Sequence, residues 1–248
     1  MDAAHYQIDA ALAETHWWWV ARRKLLRRLL DRFVGEGRKR KILEVGCSTG
    51  SNLRMLQDYG TVHAMELHGP AVEYCRTRFP GIRIYDGGIP DPLRDAYDVI
   101  CLFDVLEHIE DEAGAMEWID DHLAPGGVLL VTVPAYDFLW SHHDDLAQHH
   151  RRYTRSALEA LLGRRFQMAY ASYFNTHLFP AIAAVRLIQR LLHLSGENDK
   201  AVGGKGFSNG VLQTVFAAER LWLPAVKLPF GVSIFAVAHK SKAPACAA

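Results

Sequence analysis

Cysteine is scarce in this chain and scattered. Four cysteines, Cys47, Cys75, Cys101 and Cys246, stand in 248 residues, and no two make a CxxC pair. That pattern argues against a zinc knuckle or a disulfide framework and fits a reducing compartment. Long apolar runs are also lacking. A membrane span needs roughly 18–20 apolar residues; the nearest candidate, HLFPAIAAVRLIQRLLHL (177–194), carries Arg186 and Arg190. The opening MDAAHYQIDAALAE has no apolar stretch of the kind a secretory signal needs. Net charge is missing as well: 28 Lys+Arg face 28 Asp+Glu, so bulk charge does not favour nucleic acid. There is no N/D-P-P-Y/F motif, internal repeat or low-complexity tract. The expectation is a cytoplasmic globular protein with one substantial core.

What is present is uneven. Residues 22–41 hold ten Lys/Arg against Asp31 and Glu36. A solvated helix face explains this; the sharper reading is a surface for a phosphate-bearing substrate or an anionic membrane. The three tryptophans of THWWWV cannot all face one core from a regular helix. Leu26, Leu29, Leu30 and Phe33 then recur at helical spacing. Strand signals follow at 41–45, 62–67, 82–85, 97–103 and 127–133, with helix signals at 51–59, 70–79 and 107–123 between them. Such alternation means right-handed βαβ units and a parallel sheet. Residues 135–153 read as a polar, aromatic loop, 154–162 as a helix capped by Thr154, and 166–174 and 233–240 as the last strands. The segment between those strands reads as helices 177–194 and 210–224 broken by GENDKAVGGKGFSNG, a cap over the acceptor.

The informative stretch is ILEVGCSTGSN (42–52). A buried strand runs into a turn whose Gly46 and Gly50 let a ligand approach the backbone, and the helix behind it offers unpaired N–H groups. Glu66 ends the next strand, where a carboxylate accepts ribose hydroxyls. A dinucleotide fingerprint needs G-x-G-x-x-G, and counted from Gly46 the later glycines are Ser48 and Ser51. Glu44, just before the turn, suits the amine of an amino-acid-like cofactor.

The chain resembles the class I S-adenosylmethionine-dependent methyltransferases, in the broad group that holds the ubiquinone-biosynthesis O-methyltransferases. LEVGCSTG resembles the E/D-x-G-x-G-x-G turn, with Ser48 at the middle glycine. MELH puts Glu66 at the ribose-binding acid, and YDGG puts Asp86 at the adenine amine. FDVLEHIED and LAPGG resemble the segment beside the methionine moiety and the turn before the fifth strand. HWWWVARR, PAYDFLWSHHD, HHRRYT and LPFGVSIFAVAHK are similar to a narrower bacterial group linked to polysaccharide or lipid-linked sugar pathways. The resemblance implies an α/β, Rossmann-like, doubly wound and mostly parallel seven-stranded sheet. Residues 1–40 would form N-terminal helices closing the cofactor site, 41–174 and 232–242 the core, and 175–231 a helical cap inserted before the last strand. It implies S-adenosylmethionine held by Glu44, Gly46, Cys47, Ser48, Gly50, Asn52, Glu66, Leu67, Asp86, Gly87 and Phe103. The acceptor would be an O or N of a small molecule or glycan.

WSHHDDLAQHHRRYT (140–154) packs four histidines around Asp144 and Asp145. Without an HExxH pattern no metal is assigned. The loop follows the fifth strand, so it sits at the carboxyl edge where ligands bind. A hydroxyl nucleophile needs a proton acceptor, and histidine titrates near neutrality. His143 is the first candidate, His149 the second and His108 of VLEHIED another; substrate binding, loop cover or a turn cap are the bland alternatives. Trp18, Arg22, Trp140, Tyr153 and Asn175 are candidates for the acceptor pocket, with core packing the competing explanation for the aromatics. Competing functions are a cofactor-binding regulatory subunit without chemistry and an NAD-dependent oxidoreductase. Membrane-surface contact and oligomerisation stay open.

Overall fold

The computed structural model describes residues 3–35, 40–192 and 206–241. Seven strands form one sheet: β1 (Arg40–Val45), β2 (Gly60–Glu66), β3 (Arg83–Asp86), β4 (Tyr97–Phe103), β5 (Leu123–Pro134), β6 (Gln167–Phe174) and β7 (Ser233–His239). Their order is β3-β2-β1-β4-β5-β7-β6. The pairings from β3 across to β5 are parallel, and β7 runs antiparallel to both β5 and β6. The alternating pattern predicts the parallel part, and the whole is the Rossmann-like, doubly wound sheet that the resemblance implies. The order turns back between β1 and β4, which opens a crevice at their carboxyl ends.

Helices cover both faces, so the strands read as nearly continuous apolar runs. Successive residues of β1 divide between the faces: Ile42 joins a core with Leu25, Leu29, Val72 and Phe216, while Leu43 joins one with Ile119, Leu158 and Leu162. The first face therefore carries α2 (Trp17–Phe33), α4 (Gly69–Arg78) and α9 (Phe207–Ala217); the second carries α5 (Glu112–His122) and α7 (Arg155–Gly163). The chain begins with α1 (Ala3–Thr15), and α8 (Phe179–Leu191) follows β6.

The tryptophans divide as the helical geometry requires. Trp17 is buried edge-on to Phe216, and Trp18 and Trp19 are half-buried. Asn209 ties α9 to the start of α2: its Oδ1 accepts from the Trp17 N–H at 2.8 Å and its Nδ2 donates to the Thr15 carbonyl. α9 thus lies against α2.

Several expected boundaries move. The helix expected at 51–59 shrinks to α3 (Leu53–Leu56) flanked by turns. The helix expected at 107–123 splits into a 3-10 turn, Leu106–His108, and α5, because Asp111 caps α5 by accepting from the Gly114 N–H. β5 starts at Leu123 rather than Gly127, since Leu123 pairs with Tyr97 and the Gly126 and Gly127 backbones pair with Lys240. Residues 135–153 are not wholly loop. They contain a 3-10 turn, Asp137–Leu139, and α6 (His142–Leu146), which has a Ser141–Asp144 capping box. Much of GENDKAVGGKGFSNG lies outside the described residues. Among those described, no helix is long and apolar enough to cross a membrane.

Candidate active site

The site is built at the carboxyl ends of β1, β2, β4 and β5. Gly46 follows β1 with φ +68°, and a Cβ there would stand 2.5 Å from Val105 Cγ2. Gly50 has φ +73°, and its Cβ would meet the Phe79 ring at 2.5 Å. Both positions need glycine twice over, for conformation and for room. Ser48, at the middle position of the turn, adopts φ 49° without being glycine. Its N–H donates to Glu66 Oε2 at 2.8 Å, and the His68 N–H donates to Glu66 Oε1 at 2.9 Å. The Glu66 carboxylate is thereby aimed at the strand ends. Asp86 is its register partner on β3 and is exposed. Gly87 is buried beside it, and Leu67 presents an exposed apolar side chain. Cys47 faces inward, with its Sγ 4.0 Å from that of Cys75.

Beneath the turn lies a buried charged cluster. Glu44 is 1% exposed; Asn52 Nδ2 donates to its Oε1 at 2.7 Å, and its Oε2 has no partner among the described residues. Burial pushes its carboxyl up to about 7, against the opposing Asn52 hydrogen bond and the Arg22 charge. Arg22 reaches in from α2. Its Nη2 lies 2.7 Å from Asp104 Oδ2 and donates to Thr132 Oγ1 at 2.6 Å, while its Nε is buried with no hydrogen-bond partner among the described residues. The guanidinium stands over the rings of Trp18 and Phe103. Asp104 follows β4 at φ 58° and accepts from Thr132 as well. Glu107 is fully buried with neither oxygen hydrogen-bonded among the described residues, and burial together with the Asp104 charge raises its carboxyl well above the usual range.

The histidine-rich stretch has a clear centre, and it is Asp144. This carboxylate is fully buried. Arg152 donates to it twice, Nε to Oδ1 and Nη2 to Oδ2, each at 2.9 Å. His149 Nδ1 lies 2.8 Å from Oδ1, and Ser141 gives Oδ2 both its N–H and its hydroxyl. Burial alone would raise the Asp144 pKa, but the His149 and Arg152 hydrogen bonds hold it well below the usual carboxylate range. Arg152 also donates to the Ala135 carbonyl, which pins the loop to the end of β5.

This knot brings two of the three candidate histidines together. The His108 and His149 rings meet edge to face with centroids 4.6 Å apart. His143 is exposed on α6, and its ring centroid is 6.2 Å from that of His149. His108 is an exposed residue, yet partial desolvation of its ring lowers its pKa, and the His149 charge adds to that. The acceptor-pocket candidates are distributed. Trp18 is half-buried; Trp140 Nε1 donates to Asp145; the buried Tyr153 hydroxyl donates to Glu112 at 2.6 Å. Asn175, after β6, is fully buried at φ 56°, and neither side-chain polar atom has a hydrogen-bond partner among the described residues. Sequence reasoning gave no role to Thr132 or Glu107, and left Arg152 as substrate binding or loop cover. The only local signal was an acid inside the apolar LEHI run; the others emerge from contacts between distant segments.

A methyltransferase domain family model matches residues 18–177. The chain belongs to that family. A Mycolicibacterium smegmatis protein, "Probable S-adenosylmethionine-dependent methyltransferase/", is 33% identical over 126 residues, 50% of this chain and 48% of the relative. The chain spans about half the length of the curated relatives it matches. Two solved structures share the fold. One, "StiE O-MT residues 961-1257", has TM-score 0.56 and 21% identity, covering 91% of this chain and 76% of that one. The other is the N-methyltransferase NodS of Bradyrhizobium japonicum in complex with S-adenosyl-L-homocysteine, with TM-score 0.53 and 14% identity, covering 87% and 83%.

Proposed function

We propose that this chain moves the methyl group of S-adenosylmethionine to an oxygen or nitrogen of a small-molecule or glycan acceptor. The observation that carries the reading is the pair of carboxylates at neighbouring strand ends. Glu66 is aimed by two backbone N–H groups, and Glu44 is buried with one oxygen unpartnered. The residues fit the cofactor. Glu66 would accept the ribose hydroxyls, Glu44 would take the amino group, and Asp86 and Leu67 would hold the adenine. Gly46, Ser48 and Gly50 let the backbone approach closely. Cys47, Asn52, Gly87 and Phe103 shape and support the cleft.

When bound, the cofactor supplies an electrophilic methyl on a sulfonium. What the protein adds is alignment of the acceptor and loss of its proton. Asn175, with a buried unpartnered amide, orients the acceptor, and the half-buried Trp18 lines its path. Arg22, Trp140 and Tyr153 are committed to Asp104, Asp145 and Glu112, so they shape the pocket more than they bind. The proton is lost at the cluster of His108 and His149 over Glu107; the exposed His143 stands behind it.

The acceptor reading extends to an amphiphile at an anionic membrane surface. α8 is turned inside out: Arg186 and Gln189 are half-buried, while Val185, Ile188, Leu191 and Leu192 are exposed. Within 175–231, the only acid among the described residues is the buried Glu219, whereas Arg190, Arg220 and Lys227 are exposed.

Calorimetric titration of S-adenosylhomocysteine, with NADH as the control, tests the central reading. Binding of the first alone, lost in Glu66→Ala, is expected. NADH binding alone would make the chain an oxidoreductase. Cofactor binding without turnover of any acceptor would make it a regulatory subunit.

A further inference from the structure

We propose that Glu107, His108 and His149 bind a divalent transition-metal ion, zinc before others. A carboxylate oxygen and one nitrogen of each imidazole lie within 4.8 Å of one another. Three observations point to a ligand there. Both Glu107 oxygens are buried and, among the described residues, neither has a hydrogen-bond partner, so the fold has removed this side chain from water with the Arg22 and Arg152 charges as a partial offset. The two imidazoles stand edge to face directly beside it. And one of the imidazoles is held from behind. Asp144 takes Nδ1 of His149, which leaves Nε2 for the ion. A carboxylate behind a ligating histidine fixes its tautomer and orientation, a recurrent support at metal centres.

The donor set selects the ion. Two imidazoles and one carboxylate with a fourth position open is the composition of a catalytic zinc site, whereas magnesium and calcium prefer oxygen donors alone. Local spacing hid this site, because Glu107 and His108 follow β4 while His149 arrives on the loop after β5. The inference rests on the reading above for its use. There the open position takes the acceptor hydroxyl, whose proton leaves to water while the oxygen stays on the ion; the histidines are then ligands and not free bases.

The test is equilibrium dialysis of the chelator-treated full chain against cobalt(II) or zinc(II), followed by cobalt absorption spectra. One ion per chain is expected, with visible bands of a low-coordinate nitrogen–oxygen site. His149→Gln and His108→Gln should each weaken binding at least 10–100-fold, the range typical even for outer-shell changes. His142→Gln, a surface control, should leave it unchanged. Circular dichroism confirms that each variant folds. No stoichiometric binding, or binding equally strong in His149→Gln and His108→Gln, overturns the proposal. S-adenosylhomocysteine titrated into the same metal-free sample separates the two readings, since cofactor binding without metal binding sinks only this one.

Discussion

Asp144 Oδ1 lies 2.8 Å from Nδ1 of His149 inside a carboxylate that solvent does not reach. The same carboxylate takes a two-pronged grip from Arg152 and two hydrogen bonds from Ser141. One side chain therefore sets the conformation of the whole segment after β5. Asp144→Ala would leave Nε and Nη2 of Arg152 and Nδ1 of His149 without their acceptor. Breaking a buried pair in this way costs about 3–5 kcal/mol, so denaturant unfolding should show a midpoint shift of that size. A loss below about 1 kcal/mol, the range of exposed ion pairs, would mean that the loop is held by something other than Asp144.

Gly46 gives a second prediction, with two causes that can be separated. Alanine there must adopt φ +68°, at roughly 1–2 kcal/mol, and its Cβ would stand 2.5 Å from Val105 Cγ2. Gly46→Ala should be destabilised by more than the conformational cost alone. Val105→Ala opens the space, so the double variant should recover the steric part and retain the conformational part. A coupling of at least about 0.5 kcal/mol is expected from urea midpoints. Strict additivity would mean that Val105 already gives way.

How much of this was legible in the sequence depends on the range of the interaction concerned. The strands were visible because burial on both faces makes them apolar throughout. The glycine turn and Glu66 were visible because their spacing is local. Boundaries failed where a distant partner decided them. The APGG segment carries turn residues, yet Gly126 and Gly127 pair with Lys240 and extend β5 backwards. Position 107 read as helix, yet Asp111 starts α5 later and leaves Glu107 in a separate turn. The histidines were visible as a composition but not as an arrangement. His143, first in the sequence reading, lies exposed on α6, while His149 and His108 meet because Asp144 and Arg152 fold the loop back.

Glu44 supplies a prediction in pH. Burial raises its carboxyl to about 7 in the folded chain, from an ordinary value of 4.5. The folded state then holds a proton that the unfolded state has released. The stability it contributes is full below the ordinary value and declines as pH rises toward 7. Glu44→Gln keeps the shape and cannot ionise. The stability of the natural chain minus that of Glu44→Gln should fall from 4.5 to about 7 on the pH scale and level off above. Cofactor affinity should run the other way, because a bound ammonium favours the ionised carboxylate. S-adenosylhomocysteine should bind more tightly as pH rises through 7, and Glu44→Gln should flatten that slope and lose about 1.5–3 kcal/mol, a hydrogen bond to a charged group. A pH-independent affinity in the natural chain would remove Glu44 from the amino-group position.

The outward apolar stripe of α8 carries the last prediction. Val185, Ile188, Leu191 and Leu192 recur at helical spacing on a face that the described residues leave exposed. Ile188→Glu with Leu191→Glu should leave stability within about 0.5 kcal/mol, as surface changes do. Sedimentation with vesicles rich in phosphatidylglycerol is expected for the natural chain and not for this variant. It should also weaken with added salt, because the exposed Arg190, Arg220 and Lys227 supply the attraction over a screened distance. If the natural chain ignores vesicles and light scattering instead shows a dimer that the variant loses, the stripe is an interface between copies of the chain, and the acceptor need not be an amphiphile.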